Sequence, residues 1–339
     1  MRKILLTGAA GFVGRRFAKR LLDQGDEVYA VDSLAEHTGA MDPSRGWPLF
    51  DPRSYSNFHF FHADCREWFN RRHDDDFDYA FHLAAMVGGR QMIESNPLAV
   101  ADDLSIDAAY WRWAWIARPK KTITFSSSAA YPIKLQRRDH YALLSEEMIS
   151  FDDDIGMPDM TYGWAKLTCE YLGRVAHERH GLKSVCYRPF SGYGEDQDDA
   201  YPFPSICARA IDCRGGEVLR VWGSGGQMRD FIHIDDCVDA VFRTMDKIDD
   251  ATAVNLCTGI FTSMAELARL AAEALGWNPQ ILGTTDTPEG VFARAGDPGK
   301  LLRLGFSPTI DLRSGIERSL RFHSEAHPTR ALERPITDR

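Results

Sequence analysis

The sequence predicts an α/β fold: a doubly wound, mostly parallel sheet joined to a second, smaller α/β lobe. Three observations carry this prediction. Strand and helix patterns alternate from the first residues, and a glycine-rich turn stands at the first strand-to-helix junction. Near Ser191 the alternation then changes character, with Gly, Pro and acidic residues crowding Gly192 to Pro204.

Lys3–Thr7 is a short apolar run with the length of a buried strand. Gly14–Gln24 places Phe17, Leu21 and Leu22 on one helical face and stops at Gly25, after which Glu27–Val31 forms the next strand. Further strands are expected at Phe58–His62, Tyr79–Leu83, Thr122–Ser126, Ser184–Arg188 and Ala253–Leu256, with helical patterns between most of them. Right-handed crossovers turn such alternation into a parallel sheet. Beyond Ser191, strand-like Val218–Trp222 and helices over Asp235–Met245, Ser263–Leu275 and Leu312–Phe322 leave the sheet and re-enter it. The expected division is residues 1–190 with about 231–260 as a dinucleotide-binding domain, and about 191–230 with 261–323 as the second lobe. Residues 324–339 read as a fraying tail.

The 339 residues are 44 % hydrophobic and 26 % charged, the balance of a soluble globular chain. Forty Lys+Arg against forty-nine Asp+Glu leave a net charge of −9, which argues against a general nucleic-acid binder. No apolar run approaches the roughly 18 residues of a membrane span. Lys3-Ile4-Leu5-Leu6 enters a glycine loop with no cleavage site, so no signal peptide is expected. The seven cysteines, Cys65, Cys169, Cys186, Cys207, Cys213, Cys237 and Cys257, are scattered and form no C-x-x-C pair. They read as thiols in a reducing cytoplasm, with neither a disulfide framework nor a metal site.

Thr7-Gly8-Ala9-Ala10-Gly11-Phe12-Val13-Gly14 spaces its glycines G-x-x-G-x-x-G between a strand and a helix. Such a turn lets backbone N–H groups, those of Phe12 and Val13 among them, approach a pyrophosphate at the helix N-terminus. Turns use glycine anyway, so the context decides. Asp32 closes the second strand eighteen residues beyond Gly14. A carboxylate there accepts hydrogen bonds from the adenosine ribose hydroxyls and repels a 2′-phosphate, which favours NAD over NADP. Asp64 and Cys65 are expected to end the third strand facing the adenine, and a plain polar strand end would look the same. Leu83-Ala84-Ala85, at the end of the fourth strand, has small side chains over which a cofactor can pass.

Tyr162-Gly163-Trp164-Ala165-Lys166 opens a helix, and the four-residue spacing puts phenol and ammonium on one face. The ammonium, with an oxidised nicotinamide, should lower the phenol from about 10 toward working pH and make Tyr162 a general acid/base. By itself the spacing is common by chance and would read as a surface pair. Upstream, Phe125-Ser126-Ser127-Ser128-Ala129-Ala130-Tyr131-Pro132 follows a predicted strand, at the sheet edge where open α/β folds bind ligands. Glycine loop, acidic strand end, serine strand end and Y-x-x-x-K occur in one order and spacing, and they act together.

On these motifs the chain resembles the extended short-chain dehydrogenases/reductases, within the NAD-dependent nucleotide-sugar epimerase/dehydratase family, from Lys3 to about Phe322. Arg188–Gly194, Val221–Phe231, His233–Asp236, Pro288-Glu289-Gly290 with Arg294 and Asp297, and Leu304-Gly305-Phe306 extend the similarity. Val87-Gly88-Gly89 and Tyr131-Pro132 resemble the GDP-mannose 3,5-epimerase and GDP-fucose synthase branch most. The resemblance implies a Rossmann fold, bound NAD with Pro189 among its contacts, and Ser127, Tyr162 and Lys166 as catalytic residues. It implies a GDP- or UDP-linked sugar held by Gly88, Ser127, Ser128, Ser191, Trp222, Arg229 and Arg294. The two arginines would grip the diphosphate with their donor forks.

Several positions depart from the family. Ala129 stands for the cysteine of the 3,5-epimerases, and Tyr201 falls near their paired His or Lys. Ser128, Ala129 and Ala130 replace the acidic residues of the dehydratases and decarboxylases, Ser191 replaces an asparagine, and Asp102-Asp103 opens a helix that usually opens with asparagine. What survives is hydride transfer at C4, so a C4 epimerase is expected. A 4-keto-sugar reductase or C4 dehydrogenase, an atypical 3,5-epimerase or decarboxylase, and a non-catalytic NAD-sensing module are the alternatives.

Trp111-Arg112-Trp113-Ala114-Trp115 reads as a buried or subunit-interface helix rather than a base-stacking platform, and a homodimer is expected. His233 near Asp235 and Asp236 reads as part of a turn rather than a metal ligand. Lys120-Lys121 and Arg137-Arg138 read as solvated loop charges.

Overall fold

The computed structural model describes residues 1–36, 38–71, 76–86, 94–284 and 290–326. Seven strands form one all-parallel sheet: β1 (Lys3–Thr7), β2 (Glu27–Asp32), β3 (Phe58–His62), β4 (Tyr79–His82), β5 (Lys121–Phe125), β6 (Ser184–Pro189) and β7 (Asp250–Leu256). Their order is β7-β6-β5-β4-β1-β2-β3. The longer helices are α1 (Phe12–Asp23), α2 (Cys65–Arg71), α3 (Asp102–Ala117), α4 (Met160–His180), α5 (Pro202–Asp212), α6 (Ile234–Thr244), α7 (Met264–Ala274) and α8 (Leu312–Ala326).

Successive side chains of a strand point to opposite faces, and here both faces are covered. Ile4, Leu6, Val28, Ala30, Ile123 and Val185 join Phe17 and Leu21 of α1 and Val238 and Val241 of α6 in one core. Leu5, Val31 and Ala80 join Trp68 of α2 and Ile106, Tyr110 and Trp113 of α3 in the other. α4 lies along α3, and Gly173 makes room for it: a Cβ there would stand 2.9 Å from the Trp111 ring. A separate core of Phe203, Ile206, Leu219, Leu267 and Ile316 joins α5, α7 and α8 to the short strand Val218–Val221, which pairs with Gln280–Gly283.

β1 has β2 on one side and β4 on the other, so the chain reverses its winding there. The switch point opens a crevice at the C-terminal ends of β1 and β4, where Gly8 follows Thr7. Arg188, at the end of β6, ties the far side of this edge to α4. Its guanidinium meets the Glu170 carboxylate at 2.9 and 2.6 Å and donates to the Tyr131 hydroxyl at 3.0 Å, all of it buried.

Some expectations require correction. The third strand stops at His62, so Asp64 does not end it: the Asp64 carbonyl accepts the Glu67 and Trp68 N–H groups and opens α2, which starts with Cys65. Lys121 is not a solvated loop charge, because it lies buried in β5 against Asp249 and the Ile248 carbonyl. The last helix runs on to Ala326, past the expected start of a frayed tail, and residues 327–339 lie outside the described set. Among the described residues, no helix is long and apolar enough to cross a membrane. No group of His, Cys, Asp and Glu among them is arranged to hold a metal, and the His233 ring instead accepts the Asp235 N–H at 3.1 Å.

Candidate active site

A cavity of about 950 Å³ follows the C-terminal edge of the sheet. Its floor is the glycine turn. Gly8 takes φ +68°, and a Cβ on it would stand 2.7 Å from Ala84 N and from the Leu83 carbonyl carbon. At Gly14 a Cβ would fall 2.1 Å from the Gly8 carbonyl oxygen. The fold itself therefore demands both glycines. Gly11 differs, since its nearest neighbour would be the Gly8 oxygen at an ordinary 3.4 Å. Gly11 is the N-cap of α1 and offers no side-chain acceptor to the first helical turn, where Phe12 and Val13 line the cavity. A donor-rich helix start with no side chain over it suits a diphosphate.

Asp32 closes β2 at the cavity wall. Its two carboxylate oxygens accept the N–H groups of Ala10 at 2.9 Å and Leu34 at 2.8 Å. Burial raises its proton affinity and these two bonds oppose that, leaving further lone pairs for ribose hydroxyls. Asp64 and Cys65 also line the cavity. The Arg66 guanidinium, 2.6 Å from Asp64, holds that carboxyl below its usual range, while burial pushes the Cys65 thiol up to about 12 and leaves it unreactive. Leu83, Ala84 and Ala85 follow β4 directly and pass over the glycine turn.

At the other end stand Tyr162 and Lys166 on α4, with Pro189 of β6. The Lys166 ammonium lies 5.7 Å from the Tyr162 ring centre. Tyr162 is half-buried, and the Ser127 side chain beside it favours its ionised form. Ser127 also accepts the Ala129 N–H at 3.1 Å, which fixes the turn Ser128–Ala130. Burial pushes the Tyr162 phenol up, and Lys166, Ser127 and Arg294 only partly oppose it. The chain's own groups therefore do not produce the expected depression of this phenol.

The cavity thus gathers Gly8, Gly11, Phe12, Val13, Gly14, Asp32, Asp64, Cys65, Leu83, Ala84, Ala85, Tyr162, Lys166 and Pro189. Ser127, Ser128, Ser191, Trp222, Arg229 and Arg294 stand off its lining. Arg229 and Arg294 are partners on two paired parallel strands. Arg229 donates to the carbonyls of Met228 and Val291 at 2.8 and 3.0 Å; Arg294 donates to Gln136 at 2.6 Å and to the Asp159 carboxylate at 2.7 Å. Their forks are thus engaged with the protein, not held out toward solvent. Ser128 is buried and Trp222 is exposed. Val87, Gly88 and Gly89 lie outside the described residues.

Sequence reasoning gave no role to Asp103, which lies buried 3.3 Å from the Lys166 ammonium, or to His82, which bridges Thr7 at 2.8 Å and Asp107 at 3.2 Å. The signal for Asp103 was an aspartate where the family's helix usually opens with asparagine, and for His82 a polar side chain in an apolar strand. Tyr201 lines the cavity at the start of α5. Burial, the nearby Tyr162 and Asp198 push its phenol up, so it stays protonated.

A glycine-rich cradle at the switch point, with an acidic strand end and a Tyr-x-x-x-Lys helix across one cavity, defines an extended short-chain dehydrogenase/reductase. The NAD dependent epimerase/dehydratase family model matches residues 4–257, and the chain belongs to that enzyme family. Among curated relatives, GDP-L-fucose synthase 1 of Arabidopsis thaliana is 25 % identical over 328 residues, covering 94 % of this chain and 91 % of its own. GDP-mannose 3,5-epimerase 1 of Oryza sativa subsp. indica is 28 % identical over 328 residues, covering 93 % and 79 %. The fold is similar to UDP-glucose 4-epimerase of Thermotoga maritima with UDP-glucose (TM-score 0.78, 23 % identity, 96 % and 99 % of the two chains). It is also similar to dTDP-glucose 4,6-dehydratase of Streptomyces venezuelae with NAD and TYD bound (TM-score 0.82, 21 % identity, 96 % and 98 %).

Proposed function

We propose that the chain is an NAD-dependent nucleotide-sugar epimerase that inverts C4 through a 4-keto intermediate. One observation carries this reading. Tyr162 and Lys166 share one end of the cavity, with Ser127 just off its lining, while Ala129 has nothing to titrate and Tyr201, whose phenol burial pushes up, stays protonated. Taking a C–H proton at C3 or C5 needs a base on one face and an acid on the other.

The fit to NAD rests on the open helix start at Gly11 and the carboxylate at Asp32. Bound NAD would supply the hydride acceptor and donor for C4. Tyr162 takes the C4 hydroxyl proton as the C4–H bond breaks, and gives it back when the turned ketone is reduced. Ser127 hydrogen-bonds the same oxygen. Asp32 accepts the adenosine ribose hydroxyls and repels a 2′-phosphate. The sheet domain, residues 1–190 with about 231–260, holds the cofactor, and the second lobe holds a GDP- or UDP-linked sugar. Arg229 and Arg294 face its diphosphate once they give up part of their present bonds. A 4-keto-sugar reductase is the second reading, favoured by burial and, after it, by Asp103 beside Lys166, which both push the Tyr162 phenol up and so keep it a donor.

Turnover in deuterated water, followed by NMR of the recovered sugar nucleotide, tests both. Inversion at C4 with protium kept at every carbon is expected. Deuterium at C3 or C5 rejects the C4 reading, and stoichiometric loss of NADH with a 4-keto sugar replaces it by the reductase.

A further inference from the structure

Beneath the Tyr162–Lys166 pair lies a buried set of ionisable groups that the proposed reaction does not use. Asp103 and Asp107 sit one helical turn apart on α3, both shielded from solvent. One Asp103 oxygen accepts the Met86 N–H; the other lies 3.3 Å from the Lys166 ammonium. One Asp107 oxygen meets the His82 ring at 3.2 Å, and the second is buried with no hydrogen-bond partner among the described residues. His82 stacks flat on Tyr110, with ring centres 4.0 Å apart, and its other nitrogen meets the Thr7 hydroxyl. The Thr7 oxygen also accepts the Ala84 N–H.

We propose that Asp103 is a positioning residue that, as the buried counter-charge of Lys166, governs the protonation of Tyr162. The Lys166 ammonium by itself favours the Tyr162 phenolate. The Asp103 carboxylate cancels much of that field, since like and opposite charges within a few ångströms act strongly where water is excluded. Tyr162 then remains a phenol, a proton donor, until a further positive charge enters the cavity. Ionisation of the general base becomes conditional on the oxidised state of the cofactor.

The groups around Tyr162 and Lys166 agree in direction. Burial raises the Tyr162 phenol, Lys166 lowers it, Asp103 raises it, and Ser127 and Arg294 lower it. Burial alone would discharge Lys166, but Asp103, then Asp107, Tyr162 and Cys169, keep it charged above its ordinary range. Tyr201 faces Tyr162 from the start of α5 and is itself protonated, and so adds no charge.

This rests on the acid/base role given to Tyr162 above, so the test is built to read Tyr162 without turnover. Cofactor-free protein is titrated by ultraviolet difference absorbance of tyrosinate, and the same titration on a Tyr162→Phe background isolates Tyr162. In Asp103→Asn, which keeps an acceptor for the Met86 N–H, the Tyr162 midpoint should fall by about one pH unit. If Asp103→Asn is recovered unfolded, Asp103→Ser takes its place with the same expected shift. In turnover, the pH–rate limb that reports Tyr162 should move down equally. An unchanged or raised midpoint in a folded variant overturns the proposal. A lowered midpoint in a protein without C4 chemistry sinks the functional reading and leaves this one standing.

Discussion

Gly8→Ala and Gly11→Ala should separate the fold from the ligand. At Gly8 the added methyl faces two costs. A left-handed φ of +68° disfavours any Cβ by about 1–2 kcal/mol. The methyl also falls 2.7 Å from backbone atoms of Leu83 and Ala84, which cannot swing away as a side chain would, and overpacking of this kind costs about 1–3 kcal/mol. The sum is about 2–5 kcal/mol, or a lowering of Tm by roughly 4–10 °C at about 2 °C per kcal/mol for a chain of this size. At Gly11 the methyl has its nearest contact at 3.4 Å and φ is −70°, so only the N-cap preference is lost, about 1 kcal/mol or less. That methyl does stand over the start of α1. If a diphosphate sits there, the same overpacking weakens NAD binding about 5- to 150-fold. Thermal melts of the ligand-free variants and calorimetric titration with NAD read the two effects. Wild-type NAD affinity in Gly11→Ala would refute the placement of the diphosphate, and an unshifted Tm in Gly8→Ala would refute the packing argument.

Calorimetry should also show NAD binding more tightly than NADP, with the preference collapsing in Asp32→Ala; equal binding by the parent protein removes the role given to Asp32. Tyr162→Phe should bind NAD nearly as before while turnover falls about 10²- to 10⁴-fold, and a wild-type rate would reject the residue as acid/base. Glu170→Gln leaves the buried Arg188 guanidinium without its carboxylate and should cost about 3–5 kcal/mol in urea unfolding. A cost near zero there would mean that this pair does not anchor α4. We also propose a homodimer through the outer faces of α3 and α4, where Leu104, Trp115, Ile116, Trp164 and Tyr171 are exposed. A monomer by light scattering at micromolar concentration counts against it.

Local chemistry was enough to read much of this protein from its sequence. Buried apolar runs separated by helical periods favour a parallel sheet covered on both faces, and the glycine turn stands between one such run and a helical period. Asp32 and the Tyr162–Lys166 spacing are likewise set by position within one element, so their places in the cavity were legible. Where the sequence misled, the competing interaction was also local: Asp64 looks like a strand end, but its carbonyl opens a helix. The remainder was decided by contacts between elements distant in the chain. Asp103 is a surface-type residue by composition, and only the packing of α3 against α4 buries it on Lys166. Arg294 reads as an open phosphate fork, and only the fold sets Asp159 and Gln136 against it. His82 closes an ordinary strand, and tertiary packing alone brings it between Thr7 and Asp107. The charge state of a buried group depends on which other charges share its low-dielectric surroundings, and no spacing along the chain encodes that.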